Sequence, residues 1–300
     1  MTQLLQVNNL TKTYGGPSVV NSISFELEER TSTALIGPNG AGKTTTLSML
    51  AGLVTPSNGT ILFQNQPKTD IRSSIGFLPQ YPKFFPWLSA LEFTEMAARL
   101  SGVEARQALE DAKKTLEFVG LGDAMKKRTG TFSGGMKQRL GLAQAIVHKP
   151  GLLLLDEPVS ALDPVGRRQV MNLLKELQQE TTILYSTHIL NDAEEMTDQL
   201  LFLRKGTLVE NGSLDSIRNK YENPRILIEF ETEEELVRFE TVSPWMVTKV
   251  RKMATIDADK AGVGISEVLA LLHSKKFSIR KLEMQTASLE EIFMKVVMEG

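Results

Sequence analysis

The chain contains no cysteine. That excludes disulfides and thiolate ligands for zinc or iron–sulfur clusters, and it is the usage expected in a reducing compartment. Nor is there an apolar run long enough to cross a bilayer. The purest, Leu152-Leu153-Leu154-Leu155, falls far short of the roughly 20 residues that a spanning helix needs. Any membrane association is therefore expected to be peripheral. The opening Met-Thr-Gln-Leu-Leu-Gln-Val has neither a basic start nor a sustained apolar stretch, so no signal peptide is expected. Positive charge is not in excess either: the net charge of −2 argues against a protein that coats nucleic acid, and no nucleic-acid partner is expected. What the chain does have is 300 residues, 41% hydrophobic and 23% charged. That is material for a packed core and, by length, for two domains or one large domain with an appendage.

The most informative segment reads Gly37-Pro38-Asn39-Gly40-Ala41-Gly42-Lys43-Thr44-Thr45. It meets the phosphate-loop pattern Gly-x4-Gly-Lys-[Ser/Thr] at Gly37, Gly42, Lys43 and Thr44. The glycines let the backbone curl until successive N–H groups converge on one anion. Lys43 can reach the β- and γ-phosphates, and the Thr44 hydroxyl can sit on Mg²⁺. The flanks suit this reading: residues 31–36 form a short strand pattern and residues 44–50 a helix start, whose dipole favours anions. The chain is expected to bind a nucleoside triphosphate.

Around this loop, residues 4–10, 22–27 and 59–63 read as strands, with Pro56-Ser57-Asn58-Gly59 as a turn. Continuous apolar strands at 75–78, 152–155, 182–186 and 200–203 suit a parallel sheet covered on both faces. Between about residues 84 and 147 the pattern is helical, with Ser89 and Glu92 as a capping box. Ala105, Leu109, Ala112, Leu116 and Val119 make an apolar stripe stopped by Gly120. A helical insert inside an α/β core is expected. Residues 218–224 read as a linker. Beyond it comes a β-α-β-β-α-β order (225–230, 233–240, 246–251, 254–257, 265–273, 278–283) with a last helix from Ser288, the split βαβ or ferredoxin-like pattern. The expected division is a domain over 1–221 and an accessory α+β domain over 222–300.

Two further segments carry chemistry. Asp156 and Glu157 end an apolar strand. Asp156 is placed to hold Mg²⁺ as the acidic partner of a phosphate loop, and Glu157, one residue on, to polarise an attacking water. Ser133-Gly134-Gly135 opens a helix and offers a second anion site through backbone N–H groups and a hydroxyl. Alone, it reads rather as an ordinary capped turn.

Taken together, the loop at Gly37, the segment Ser133-Gly134-Gly135-Met136-Lys137-Gln138-Arg139 and the strand end Asp156-Glu157-Pro158 have the order and spacing of ATP-binding-cassette (ABC) ATPase domains. The sequence resembles that family over roughly residues 1–220. The resemblance implies a P-loop NTPase core with an antiparallel β subdomain and a helical insert. It implies ATP as substrate, with Mg²⁺. It assigns Tyr14 to stacking on adenine, Gln80 to Mg²⁺ and the attacking water, Asp163 to a dimer interface and His188 to the γ-phosphate. Asp163 is also well placed to cap a helix that starts at Pro164. The family signature usually begins Leu-Ser-Gly-Gly-Gln, and here Phe132 and Met136 flank Ser-Gly-Gly. The anion-binding atoms are retained, while contacts of the usual glutamine side chain are not. The resemblance further implies a head-to-tail dimer with two ATPs at the interface, and a separate polytopic membrane permease that meets the helical insert. The expected location is the cytoplasmic face of the plasma membrane. Residues 81–87 (Tyr-Pro-Lys-Phe-Phe-Pro-Trp) either line that docking groove or pack beneath the insert. Thr286-Ala287-Ser288-Leu289-Glu290-Glu291-Ile292-Phe293 is similar to the closing segment of bacterial drug- and antibiotic-exporter ATPases, which implies export. The alternative is an ABC ATPase of translation or DNA repair. Such proteins usually carry two cassettes or a long coiled coil, and this chain has one cassette and no sustained heptads.

Overall fold

Strand and helix signals alternate along the chain, and the computed structural model resolves them into three sheets. It describes residues 2–299 apart from 65, 68–71, 161 and 222–223, and not the side chains of 67, 298 and 299. In chain order the elements are β1 (Gln3–Lys12), β2 (Val20–Glu28), β3 (Ser32–Ile36), α1 (Lys43–Leu50), β4 (Asn58–Phe63), β5 (Gln66–Pro67), β6 (Ile75–Leu78), α2 (Ala90–Leu100), α3 (Ala105–Phe118), α4 (Gly134–Ile146), β7 (Leu152–Asp156), α5 (Pro164–Leu177), β8 (Thr182–Thr187), α6 (Leu190–Met196), β9 (Gln199–Arg204) and β10 (Thr207–Ser213). Then follow α7 (Leu214–Lys220), β11 (Arg225–Phe230), α8 (Glu233–Val242), β12 (Val247–Val250), β13 (Met253–Asp257), α9 (Ala258–Ala261), α10 (Ile265–Ser274), β14 (Ile279–Gln285) and α11 (Leu289–Phe293).

The chain divides into two compact units, Met1–Leu214 with the segment from Lys295 on, and Asp215–Met294. The division falls seven residues before the expected end at 221, because α7 groups with the second unit rather than the first. Residues 222 and 223 of the expected linker lie outside the described residues.

In the first unit, an antiparallel sheet of order β2-β1-β4-β5 stands beside a six-stranded sheet of order β10-β9-β3-β8-β7-β6. Within the latter, β6, β7, β8, β3 and β9 run parallel, and β10 closes one edge as an antiparallel hairpin partner of β9. β3, β7 and β8 are buried at every position, as expected of strands covered on both faces. Parallel register then lines up their C-terminal ends: Ile36 lies beside Thr187, Asp156 beside Ser186, and Leu78 beside Leu155. Loops that leave these strands therefore emerge on one edge, where ligands bind in open α/β sheets.

The insert comprises α2, α3 and α4. Ser89 and Glu92 form the expected box: the Glu92 carboxylate accepts from Ser89 N at 2.7 Å, and Glu92 N donates to Ser89 Oγ at 3.2 Å. Of the expected stripe on α3, Ala112, Leu116 and Val119 are buried and Leu109 half-buried, but the buried face is shifted at its start. Ala105 is exposed, while Ala108, Asp111, Ala112 and Leu116 are buried. The face follows the i, i+4 ladder from residue 108, and Asp111 is tolerated there through Gln107 Nε2 at 2.9 Å and Lys149 at 3.6 Å. Ala98, Ala108, Ala112 and Val147 form the small core of the insert.

The second unit has the strand order β12-β13-β11-β14, antiparallel throughout. Along β11, buried Ile226, Ile228 and Phe230 alternate with half-buried neighbours. Phe230, Phe239 and Phe277 meet at ring separations of 5.2, 5.9 and 5.5 Å, giving this unit its own core.

His148 joins α4 to β7, and its Nε2 lies 3.2 Å from the Ile75 carbonyl of β6. Burial pushes the imidazole below its ordinary pKa, and the bond to Ile75 opposes this. A histidine that binds its proton less tightly when folded withdraws stability as the pH falls below 6.5, and all of it is lost once the pH is under the lowered folded value. His148→Gln should remove this part of the acid slope. Urea unfolding at about pH 7.5 and 5.5 should show the variant gaining on the parent at the lower pH; an unchanged difference would refute the assignment.

Candidate active site

The turn between β3 and α1 is held by tight backbone packing. A Cβ on Gly37 would lie 2.3 Å from the Leu203 carbonyl of β9, so the chain passes there only without a side chain. Gly42 caps α1 at φ +105°, a conformation that side-chain-bearing residues avoid. Ala41 N donates to the Pro38 carbonyl at 3.1 Å, and Gly206 N to the Ala41 carbonyl at 3.0 Å. The Lys43 ammonium folds back into this turn and donates to the carbonyls of Gly37 at 2.7 Å and Pro38 at 3.2 Å. Lys43 is only 6% exposed. Burial pushes its pKa down, while Glu157 and Asp156 pull it up. A desolvated cation beside free helix N–H groups is a site for a polyanion. Asn39, Gly40 and Thr44 are exposed around it, Pro38 and Thr45 half-buried.

The two carboxylates lie at the end of β7. Asp156 is 2% exposed, and its Oδ1 accepts from Ser186 Oγ at 2.6 Å. The strand breaks at Glu157, which has φ +49°; a left-handed backbone costs a residue of this kind about 1 kcal/mol or more. Three backbone bonds hold it there. Glu157 N donates to Ser186 Oγ at 2.9 Å, and the Glu157 carbonyl accepts from Ser160 N at 3.3 Å and Ser160 Oγ at 3.2 Å. Thus turned, the carboxylate accepts from Gln80 Nε2 at 3.1 Å and meets His188 Nδ1 at 3.2 Å. The Glu157 side chain is 11% exposed and that of His188 51%: one group is sheltered and the other reaches outward.

Lys43, Gln80, Asp156, Glu157 and His188 thus come together on one sheet edge. Ser133 caps α4, accepting from Met136 N at 3.3 Å, and is exposed together with Gly134; Gly135 is half-buried. Asp163 caps α5, accepting from Gly166 N at 3.0 Å, with Pro164 first in the helix. Ala161, in the loop before it, lies outside the described residues. Tyr14 is 61% exposed, with Lys12 Nζ 4.9 Å from its ring centre. Gln138, in α4, is buried and donates to the Pro158 carbonyl at 2.7 Å, tying the Ser-Gly-Gly helix to the Asp-Glu-Pro strand end. Ser186 and Ser160 were not singled out from sequence. The available signal for Ser186 is a hydroxyl closing an apolar strand, in register with Asp156.

Among the described residues no three His, Cys, Asp or Glu side chains gather as a metal cage. One buried carboxylate, Asp156, with the Thr44 hydroxyl on the first turn of α1, is instead a donor set for Mg²⁺, which keeps waters and takes phosphate oxygens for its remaining positions.

A family model described as "ABC transporter" matches residues 20–160, and one described as "ATP-binding protein DrrA1-3-like, C-terminal domain" matches residues 212–297. The uncharacterised ABC transporter ATP-binding protein YxlF of Bacillus subtilis (strain 168) is 42% identical over 297 residues, covering 98% of this chain and 99% of that protein. The linearmycin resistance ATP-binding protein LnrL of the same organism is 30% identical over 302 residues, covering 97% of each. Among solved structures, a dimeric ATP-binding cassette in a post-hydrolysis state with ADP and Pi aligns with a TM-score of 0.65 and 26% identity, covering 70% of this chain and 99% of that one.

A sheltered carboxylate held by two polar side chains has the geometry of a general base. Replacing Glu157 by Gln should leave nucleotide binding intact and lower ATP turnover about 100-fold or more. A steady-state phosphate-release assay with a parallel nucleotide-binding titration checks this; near-normal turnover would remove Glu157 from the chemistry.

Proposed function

The chain belongs to the ABC transporter ATP-binding proteins, and from that premise we propose that it is the subunit whose ATP hydrolysis powers export through a separate polytopic membrane protein. The observation that carries the catalytic part is the gathering of Lys43, Gln80, Asp156, Glu157 and His188 at one end of a parallel sheet. Lys43 and backbone N–H groups among residues 39–45 grip the phosphates. Thr44, Asp156 and Gln80 hold Mg²⁺, which when bound neutralises charge on the β- and γ-phosphates. Glu157 orients and deprotonates the attacking water, Gln80 and His188 fix its carboxylate, and His188 reaches outward to the γ-phosphate. Tyr14, exposed at the end of β1, stacks on adenine.

The second half of the proposal concerns coupling. Ser133, Gly134 and Asp163 are exposed. A head-to-tail dimer brings them to the nucleotide of a second copy, and the solved relative with ADP and Pi is itself dimeric. The γ-phosphate then bridges Lys43 of one chain and the α4 N-terminus of the other, and hydrolysis followed by loss of phosphate removes the bridge. Work comes from the free-energy difference between closed and open dimers.

Two features support a membrane partner. Tyr81, Phe85 and Trp87 are 73%, 46% and 65% exposed, while Phe84 packs edge-on against Phe93 with ring centres 5.1 Å apart. Phe84 and Phe85 thus both pack on Phe93 of the insert, while Tyr81, Phe85 and Trp87 keep exposed surface of the kind a docking face requires. Among the described residues no helix is long and apolar enough to cross a membrane, so the path itself falls to the partner, and this chain works at the cytoplasmic face. Export follows the LnrL relative and the DrrA-like match over residues 212–297. The C-terminal unit serves as an accessory domain.

Tagged Glu157→Gln chain, drawn from detergent-solubilised membranes with ATP, should bring down a polytopic membrane protein in stoichiometric amount, identified by mass spectrometry. The same variant should sediment as a dimer with ATP and a monomer with ADP. Ribosomal or DNA-bound partners with no membrane protein would replace the transporter reading by that of a soluble machine.

A further inference from the structure

Ser186 is the last residue but one of β8, directly beside Asp156 in parallel register, with no exposed surface. Its hydroxyl makes two bonds of fixed direction. The Glu157 N–H can only donate, so at 2.9 Å it takes a lone pair of Ser186 Oγ. The hydroxyl proton is then left to point at Asp156 Oδ1, 2.6 Å away. One side chain therefore joins the carboxylate of the first acid to the backbone of the second.

This matters because two consecutive acids must serve one site. Consecutive side chains of a strand point to opposite faces, and Glu157 leaves that alternation by adopting φ +49°. The bond from its amide to Ser186 is what ties this turned backbone to the neighbouring strand. The same hydroxyl fixes which Asp156 oxygen is engaged within the protein and which remains for a cation.

We propose that Ser186 is a positioning residue for ATP hydrolysis: through one hydroxyl it sets the Asp156 carboxylate and the Glu157 backbone relative to each other. The proposal rests on the reading of Glu157 as the group that activates water.

Ser186→Thr and Ser186→Val in the full chain test it, because the two replacements have nearly the same shape and differ in the hydroxyl. The valine variant should lose about 10- to 100-fold in kcat with KM for ATP within about threefold of the parent, the pattern of an interaction used in the transition state. The threonine variant should stay within about threefold in both. Independently of turnover, the Mg²⁺ concentration giving half of the ATP-induced rise in melting temperature should increase several-fold for valine and not for threonine. Equal kcat in the two variants, or a valine defect confined to KM, would overturn the proposal. If neither branched side chain is accommodated, Ser186→Ala decides. A fall in kcat of about tenfold or more at an unchanged nucleotide-free melting temperature supports it, and parental turnover overturns it. Glu157→Gln in the same assay separates the two readings: near-normal turnover there removes the base itself, whereas an inactive Glu157→Gln beside a fully active Ser186→Val removes the role of Ser186 alone.

Discussion

Parallel pairing of β3 with β8 and of β8 with β7 is the constraint from which the site follows. Parallel strands rise together, so residues that terminate them share one level without any long-range specification. Lys43, the adjacent pair Asp156 and Glu157, and His188 are far apart in sequence, yet each follows or ends one of these three strands. Gln80 joins them from β6 by the same rule. The apolar composition that buries β3, β7 and β8 on both faces is thus also what makes the register strict, since a slip would leave polar ends in the core.

At this edge, polar groups are used in pairs. The Lys43 ammonium is capped by two carbonyls. The Glu157 carboxylate is held by an amide nitrogen and an imidazole, and its main chain by two serines. Each bond removes a rotamer, so the groups stand in place before a nucleotide arrives, and the ordering cost is met by folding rather than by binding.

Much of this was legible in the sequence because the relevant signals are local. The phosphate loop, the paired acids and the capping boxes at Ser89 and Ser288 are short patterns whose geometry depends on their own backbone. The β-α-β-β-α-β order of the second unit was readable because each element has its own hydrophobic period. What escaped were matters of contact between distant segments. Ser186 reads as one polar residue in a strand until register places it beside Asp156. The buried face of α3 runs through Ala108 and Asp111, a choice made by its neighbours and invisible in the periodicity of Ala105 and Leu109. β10 offers no alternation to detect, because its residues are half-buried or exposed and none is buried. The division at Leu214 rather than at the compositional break depends on which unit α7 joins.

The approach of Gly37 to the Leu203 carbonyl bears on how the gene can vary. Every single-base change in a glycine codon that yields another residue adds at least a Cβ, and here that atom would lie 2.3 Å from a backbone oxygen of β9. No exchange at this codon is therefore a small step. Each registers first as a displacement of one central strand against another, and only afterwards as an altered phosphate loop. The codon is held by the architecture of the sheet as firmly as by the chemistry it serves.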